Sequence, residues 1–250
     1  MTRLAALLLF GLIPGLALAD AGPIARTLNA DIPAAGLDTL ALRVGVGAVH
    51  LTAAGDDRVH VVVKLRQKEQ EFLWFFHWAS SGSAQDIAAA SITQERQGGR
   101  LSLSIKYPSK DDEEDLKQEW QVQLPARLAA KVDMNVGELS IEGNAGGVDA
   151  KLNVGELSID SLRGPLSASV NVGEIRVKSA SAQHGEISLS SNIGDAELYI
   201  KGEKSGSKSH GGLGNSLSLE GSGPDNMKLS VNIGEVSLRL APPDDKGGGK

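Results

Sequence analysis

Asn135-Val-Gly-Glu-Leu-Ser-Ile141 returns as Asn153-Val-Gly-Glu-Leu-Ser-Ile159 and as Asn171-Val-Gly-Glu-Ile-Arg-Val177. It returns again as Asn192-Ile-Gly-Asp-Ala-Glu-Leu198 and Asn232-Ile-Gly-Glu-Val-Ser-Leu238. A worn copy surrounds Gly212-Leu213-Gly214-Asn215. The glycines fall at 137, 155, 173, 194, 214 and 234, in steps of 18, 18, 21, 20 and 20. A period of this size marks a repeat architecture. Before each glycine the apolar residues alternate, as Val132, Met134 and Val136 do, and then Ala150, Leu152 and Val154. After it they alternate on the opposite parity, as Leu139 and Ile141 do, and then Leu157 and Ile159. Alternation by two predicts strands. The parity switch at Gly-Glu predicts a corner, for which glycine supplies the positive φ. Short strands joined by tight corners predict an all-β fold: a right-handed parallel β-solenoid with 18–21-residue coils. The hand follows the general preference of parallel crossovers. A β-sandwich of hairpins would not require like residues at a fixed step.

Working outward, residues 124–241 hold the solenoid repeats and 242–250 a glycine-rich tail. Residues 20–66 form N-terminal strands and a first coil. There Val44-Gly-Val-Gly-Ala-Val-His-Leu51 puts Gly45 in the asparagine position and Gly47 in the glycine position. Residues 67–123 interrupt the repeat with a polar run, an aromatic segment and a hairpin turning at Gly98-Gly99. Ser83-Ala-Gln-Asp86 is a capping box for a short helix near 84–90. Residues 1–19 read as a cleavable leader: Arg3, an apolar run broken by Gly11, Pro14 and Gly15, then Ala17-Leu-Ala19 before the cut. That run is too short for a membrane anchor, the rival reading. The mature chain is therefore expected in the periplasm or outside the cell, without a transmembrane anchor.

The course from Leu42 through VGVGAVHLTAAGDDRVHVVVKL, then QVQLPARLAAKVDMNVGELSIEG and the stacked NVGELSI units, resembles a bacterial adhesin-like family. Its members are exported β-strand-repeat proteins of unknown function. The resemblance covers about residues 40–66 and 100–240, and Leu124-Pro125 occupies the family's extended lead-in to the main coil. It implies an exported, envelope-associated protein and carries no catalytic residues. The chain departs from the family pattern by placing Val or Ile between Asn and Gly, and by its aromatic insertion.

The chemistry-bearing residues are sparse. There is no cysteine, so disulfides, thiolate metal sites and cysteine nucleophiles are excluded. A net charge of −6 argues against a general nucleic-acid binder. No metalloprotease, nucleophile-elbow, phosphate-loop or dinucleotide motif is present. His50 and His60 lie on two strands around Ala53–Asp57 and could approach each other, though two solvated histidines is the plainer reading. Glu138, Glu156, Glu174, Asp195 and Glu235 share one repeat position and would form a carboxylate column. A solvated corner, a calcium column and a catalytic set are the three readings of it. Asn135, Asn153, Asn171, Asn192 and Asn232 read as a structural amide ladder, beside the corner glycines 137, 155, 173, 194 and 234. Phe72, Trp74, Phe76 and Trp78 share one face of an extended segment and are either a cap on the stack or a binding patch.

These readings predict a non-catalytic β-solenoid, adhesin-like or a cell-envelope scaffold and binding module. No cofactor or metal is expected. The expected partner is an envelope protein or a glycan, with self-association open and nucleic acid excluded. The alternatives are a polysaccharide-acting β-helix enzyme and an envelope sensor that pairs with a membrane signalling partner.

Overall fold

A computed structural model describes residues 24–67, 87–108, 116–180, 184–200, 202–206 and 214–240. In chain order the strands are β1 (Ile24–Pro33), β2 (Thr39–Ala54), β3 (Arg58–Gln67), β4 (Ser91–Gln97), β5 (Arg100–Lys106), β6 (Leu116–Pro125) and β7 (Ala129–Glu142). There follow β8 (Val148–Leu162), β9 (Leu166–Ser179), β10 (His184–Ile193), β11 (Ala196–Ile200), β12 (Glu203–Gly206), β13 (Asn215–Leu219) and β14 (Asp225–Leu240). Among the described residues the fold is all-β apart from one helical turn at 87–89. That turn and the β4–β5 hairpin, turning at Gly98-Gly99, lie between β3 and β6 in the chain.

The strands join in the order β1-β3-β6-β2-β7-β8-β9-β14-β10-β13. From β6 to β10 the pairing is parallel. The flanks are antiparallel, β1 on β3, β3 on β6 and β13 on β10. The sheet is therefore mixed, and it corrects the expectation of an all-parallel solenoid. A second correction concerns order. The last repeat, β14, inserts between β9 and β10, so the repeats do not stack in chain sequence. The worn copy near Gly214 leads into β13, which runs antiparallel to β10 instead of adding a parallel coil.

Within the stack, like residues meet like. Val132, Ala150, Ala168, Leu229 and Leu189 form one buried row across β7, β8, β9, β14 and β10. Leu139, Leu157, Ile175, Val236 and Ala196 form a second row beyond the corner, and Ile141, Ile159, Val177, Leu238 and Leu198 a third. Each buried branched aliphatic contributes roughly 1.5–3 kcal/mol, so the rows supply most of the folding drive with few rings. β2 begins the stack and has a split neighbour. Its Thr39–Leu42 part pairs with β5 and its Gly47–Ala54 part with β6, while both parts pair with β7. The β1–β3–β6 unit closes that end. Trp120 on β6 is fully buried there and donates its indole N–H to Gln118 at 2.8 Å. Glu119 faces Lys64 at 2.9 Å and Arg66 at 3.3 Å. Burial pushes its carboxyl up, but the two cations outweigh this and hold it below the usual range. The aromatic segment with Phe72, Trp74, Phe76 and Trp78, the capping box and the leader lie outside the described residues.

The equal step from β7 to β8 to β9 makes one unit removable. Deleting residues 148–165 joins Gly147 to Leu166 and sets β9 in the register that β8 held. This variant is expected to keep its β-sheet circular dichroism and a cooperative melt. Deleting only residues 148–156 destroys the register and is expected to abolish cooperative melting. Equal behaviour of the two deletions overturns the repeat-unit account.

Candidate functional site

Each repeat bends at one place, and the bend decides which side chains reach solvent. In β7, Ala130, Val132 and Met134 face the core, then Asn135 and Val136 are both exposed, and Leu139 and Ile141 face inward again. The corner therefore starts before the glycine. This corrects the placement of Val136 and Val154 on the inward set. Val136, Val154, Val172, Ile233 and Ile193 form an outward aliphatic row, exposed by 37% to 45%. Sequence alternation carried the inward parity one residue too far, because an exposed branched aliphatic looks the same as a buried one.

At the corner the backbones approach closely. Gly155 has φ +143°, and a Cβ placed on it would overlap the carbonyl of Gly137. The same overlap recurs from Gly173 onto Gly155, from Gly234 onto Gly173 and from Gly194 onto Gly234. At the closed end, Gly137 meets Gly47, and Gly47 meets Gln118. Two independent constraints, the φ value and the missing space, both exclude a side chain.

Next to the glycines the asparagines join in a chain of amides. Asn153 donates to Asn135 at 3.2 Å, Asn171 to Asn153 at 3.2 Å, Asn232 to Asn171 at 3.0 Å and Asn192 to Asn232 at 2.9 Å. Each amide keeps a second N–H and a carbonyl lone pair for other partners. Ser191, which occupies the position of Met134 and Leu152, is buried and donates to the Gly234 carbonyl at 2.8 Å.

On the far side of the corner stand Glu138, Glu156, Glu174, Glu235 and Asp195, in register. Arg176 reaches Glu156 at 3.2 Å and also pairs with Glu174. Asn215 donates to Asp195 at 2.9 Å. One row further, Lys178 binds Asp160 at 2.8 Å, and this bond together with Ser161 holds the Asp160 carboxyl below its usual range. Among the described residues no group of three or more His, Cys, Asp or Glu is placed to hold a metal ion. His50 and His60 do not meet, because β6 runs between β2 and β3. His60 instead contacts Asp56 at 2.9 Å and Asp31 at 3.4 Å.

On the near side, the first arms of the strands present an outer face with two open grooves. A cavity of about 650 Å³ runs along the asparagine ladder, over Arg43, Asp133, Lys151 and Ser169. A second, of about 830 Å³, crosses the strand starts over Lys131, Asp149, Ser167, Lys228 and Ser188. Sequence reasoning passed over this face. Its signal was available in the polar residues that alternate with the core ones at 131, 133, 149 and 151.

The chain is similar to solved structures. A crystal structure from Clostridium sporogenes named "putative cell adhesion protein" superposes with a TM-score of 0.54 at 13% identity, covering 86% of this chain and 99% of that one. A Bacteroides fragilis protein named "putative adhesin" matches with a TM-score of 0.37 at 14% identity, over 86% and 97% of the two chains. At these identities the first likeness is one of fold alone. No sequence family and no curated protein matches the chain. No helix among the described residues is long and apolar enough to cross a membrane.

Two substitutions probe the corner. Gly155→Ala is expected to lower stability by more than about 2 kcal/mol, because a side chain there meets both strain and overlap; chemical denaturation measures it. An unchanged midpoint shows that the strands slide apart without cost. Asn153→Asp removes the donor to Asn135 and sets acceptor against acceptor, so a loss of about 1–2 kcal/mol is expected. Asn135→Asp keeps the acceptor that Asn153 uses, and a smaller loss is expected in the same assay. Equal losses rule out the directed ladder.

Proposed function

We propose that the protein is an exported, non-catalytic, adhesin-like binding module or scaffold of the cell envelope, released into the periplasm or beyond after cleavage of residues 1–19. The reading takes β7, β8, β9, β14 and β10 as a β-solenoid segment, right-handed with coils of 18–21 residues. Residues 20–66 supply the first coil, 67–123 the insertion and 242–250 a tail. The observation that carries it is the in-register outer surface. Amide, aliphatic and carboxylate rows each repeat from strand to strand along the stack. Stacked repeats of this kind build extended recognition surfaces. The likeness in fold to a protein named for cell adhesion supports the same reading. The expected partner is an envelope protein or glycan, and a second copy of the chain is a further candidate. Phe72, Trp74, Phe76 and Trp78 are proposed as an additional contact or as a cap on the stack.

The test uses immobilised mature protein, residues 20–250, and a bacterial envelope fraction. Saturable, competable retention of envelope material is expected, and no retention above a β-rich control protein overturns the reading. The Trp74→Ala/Trp78→Ala variant, melted in parallel, separates the aromatic roles. Loss of retention at an unchanged midpoint marks a contact, and a lowered midpoint marks a cap.

A further inference from the structure

The outer face of the first arms is the basic-leaning face of an acidic chain. Its two rows carry Arg43, Lys131, Lys151 and Lys228 against Asp133 and Asp149, whereas the whole chain has a net charge of −6. Lys131 is tied to Asp149. Arg43, Lys151 and Lys228 are exposed and enter none of the ion pairs formed among the described residues. Asp133 lies between Arg43 and Lys151 in the same row without pairing to either.

The positions of the three cations follow from the register. Arg43 stands on β2, Lys151 on β8 and Lys228 on β14, which are the first, third and fifth strands of the parallel run β2-β7-β8-β9-β14. Arg43 and Lys151 share a row through Asp133. Lys228 lies one row lower, beside Ser230 of that same row. Alternate strands are about 9.6 Å apart. Along an extended β-linked polysaccharide, sugars alternate in facing, so like substituents recur every second sugar at close to this distance. Ser169, Ser230 and the free valences of the asparagine ladder lie alongside and supply neutral hydrogen-bonding groups.

We propose that this face binds a linear polysaccharide carrying an anionic group on every second sugar, laid across the strands so that Arg43, Lys151 and Lys228 take successive anions. The proposal rests on the binding-module reading and names its ligand class. Charge complementarity selects an acidic chain over a neutral one, and the two-strand spacing matches anions that recur at every second sugar.

The probe is a hyaluronan octasaccharide, in which glucuronate alternates with a neutral amino sugar, titrated into mature protein by calorimetry at low and moderate salt. Saturable binding is expected, weakening as salt rises. The Arg43→Gln/Lys151→Gln/Lys228→Gln variant is expected to bind at least tenfold more weakly with an unchanged melting midpoint. Lys151→Gln alone, which removes one exposed charge, is expected to weaken binding at least threefold. Glu142→Gln/Glu203→Gln, on the second arm of β7 and on β12, is expected to bind as the parent does. A neutral chitin hexamer is expected to bind at least tenfold more weakly than hyaluronan. Equal affinity for poly-L-glutamate or single-stranded DNA overturns the proposal, since charge alone would then suffice. No binding of hyaluronan, or no effect of the lysine and arginine changes, also overturns it. If envelope material is still retained in that case, the binding-module reading stands and only the ligand class falls.

Discussion

At each corner of the stack, the gap between one glycine and the carbonyl of the glycine beneath it is too small for a methyl group. That constraint sets the rest of the structure. It brings the strand backbones close at the bend, where a positive φ turns the chain. It also fixes the register, because only glycine can sit on glycine. Once Gly137, Gly155, Gly173, Gly234 and Gly194 are superposed, every other residue is assigned a row. The buried aliphatic rows, the amide ladder and the carboxylate row all follow from that one alignment.

The rows differ in what they cost. Stacked aliphatics are favourable without further help. Stacked amides satisfy one another because each carries a donor and an acceptor. Stacked carboxylates repel by about 1 kcal/mol per adjacent pair in water, and the stack answers this locally. Arg176 stands between Glu156 and Glu174, and Asn215 donates to Asp195. The glutamates are thus compatible with a solvated corner and need no bound cation to stack.

The repeats were legible because identical residues at equal steps report on contacts between neighbouring units. Asn153 and Asn135 are 18 residues apart in the chain and bonded in space. What escaped the sequence had physical reasons. Val136 reads as an inward residue because alternation does not show where a bend begins; the backbone turns at Asn135 and leaves two consecutive residues exposed. The antiparallel β1–β3–β6 unit has the same alternation as a parallel coil, since side-chain period is blind to strand direction. Trp120 alternates with Val122 and Leu124, so its strand and its inward face are legible, but its place at the closed end depends on strand order, which a period of two does not carry. The basic face was missed because its charges come from three distant strands and form no local run.

The placement of β14 ties these points together. Nothing in the repeat itself states its neighbours, since any unit with Gly and Asn in phase can stack on any other. The chain nevertheless carries β14 past β10 and inserts it against β9. Had the repeats stacked in chain order, Ser190 would adjoin Ser169, and Lys228 would lie one strand further out. Arg43 and Lys151 would keep their two-strand interval, but the next cation would stand three strands away. The interleaving restores the interval. It also puts Asn232 between Asn171 and Asn192, so the amide ladder runs unbroken across the insertion. The order of strands, which the periodicity leaves open, therefore determines the spacing of charge on the outer face of the first arms.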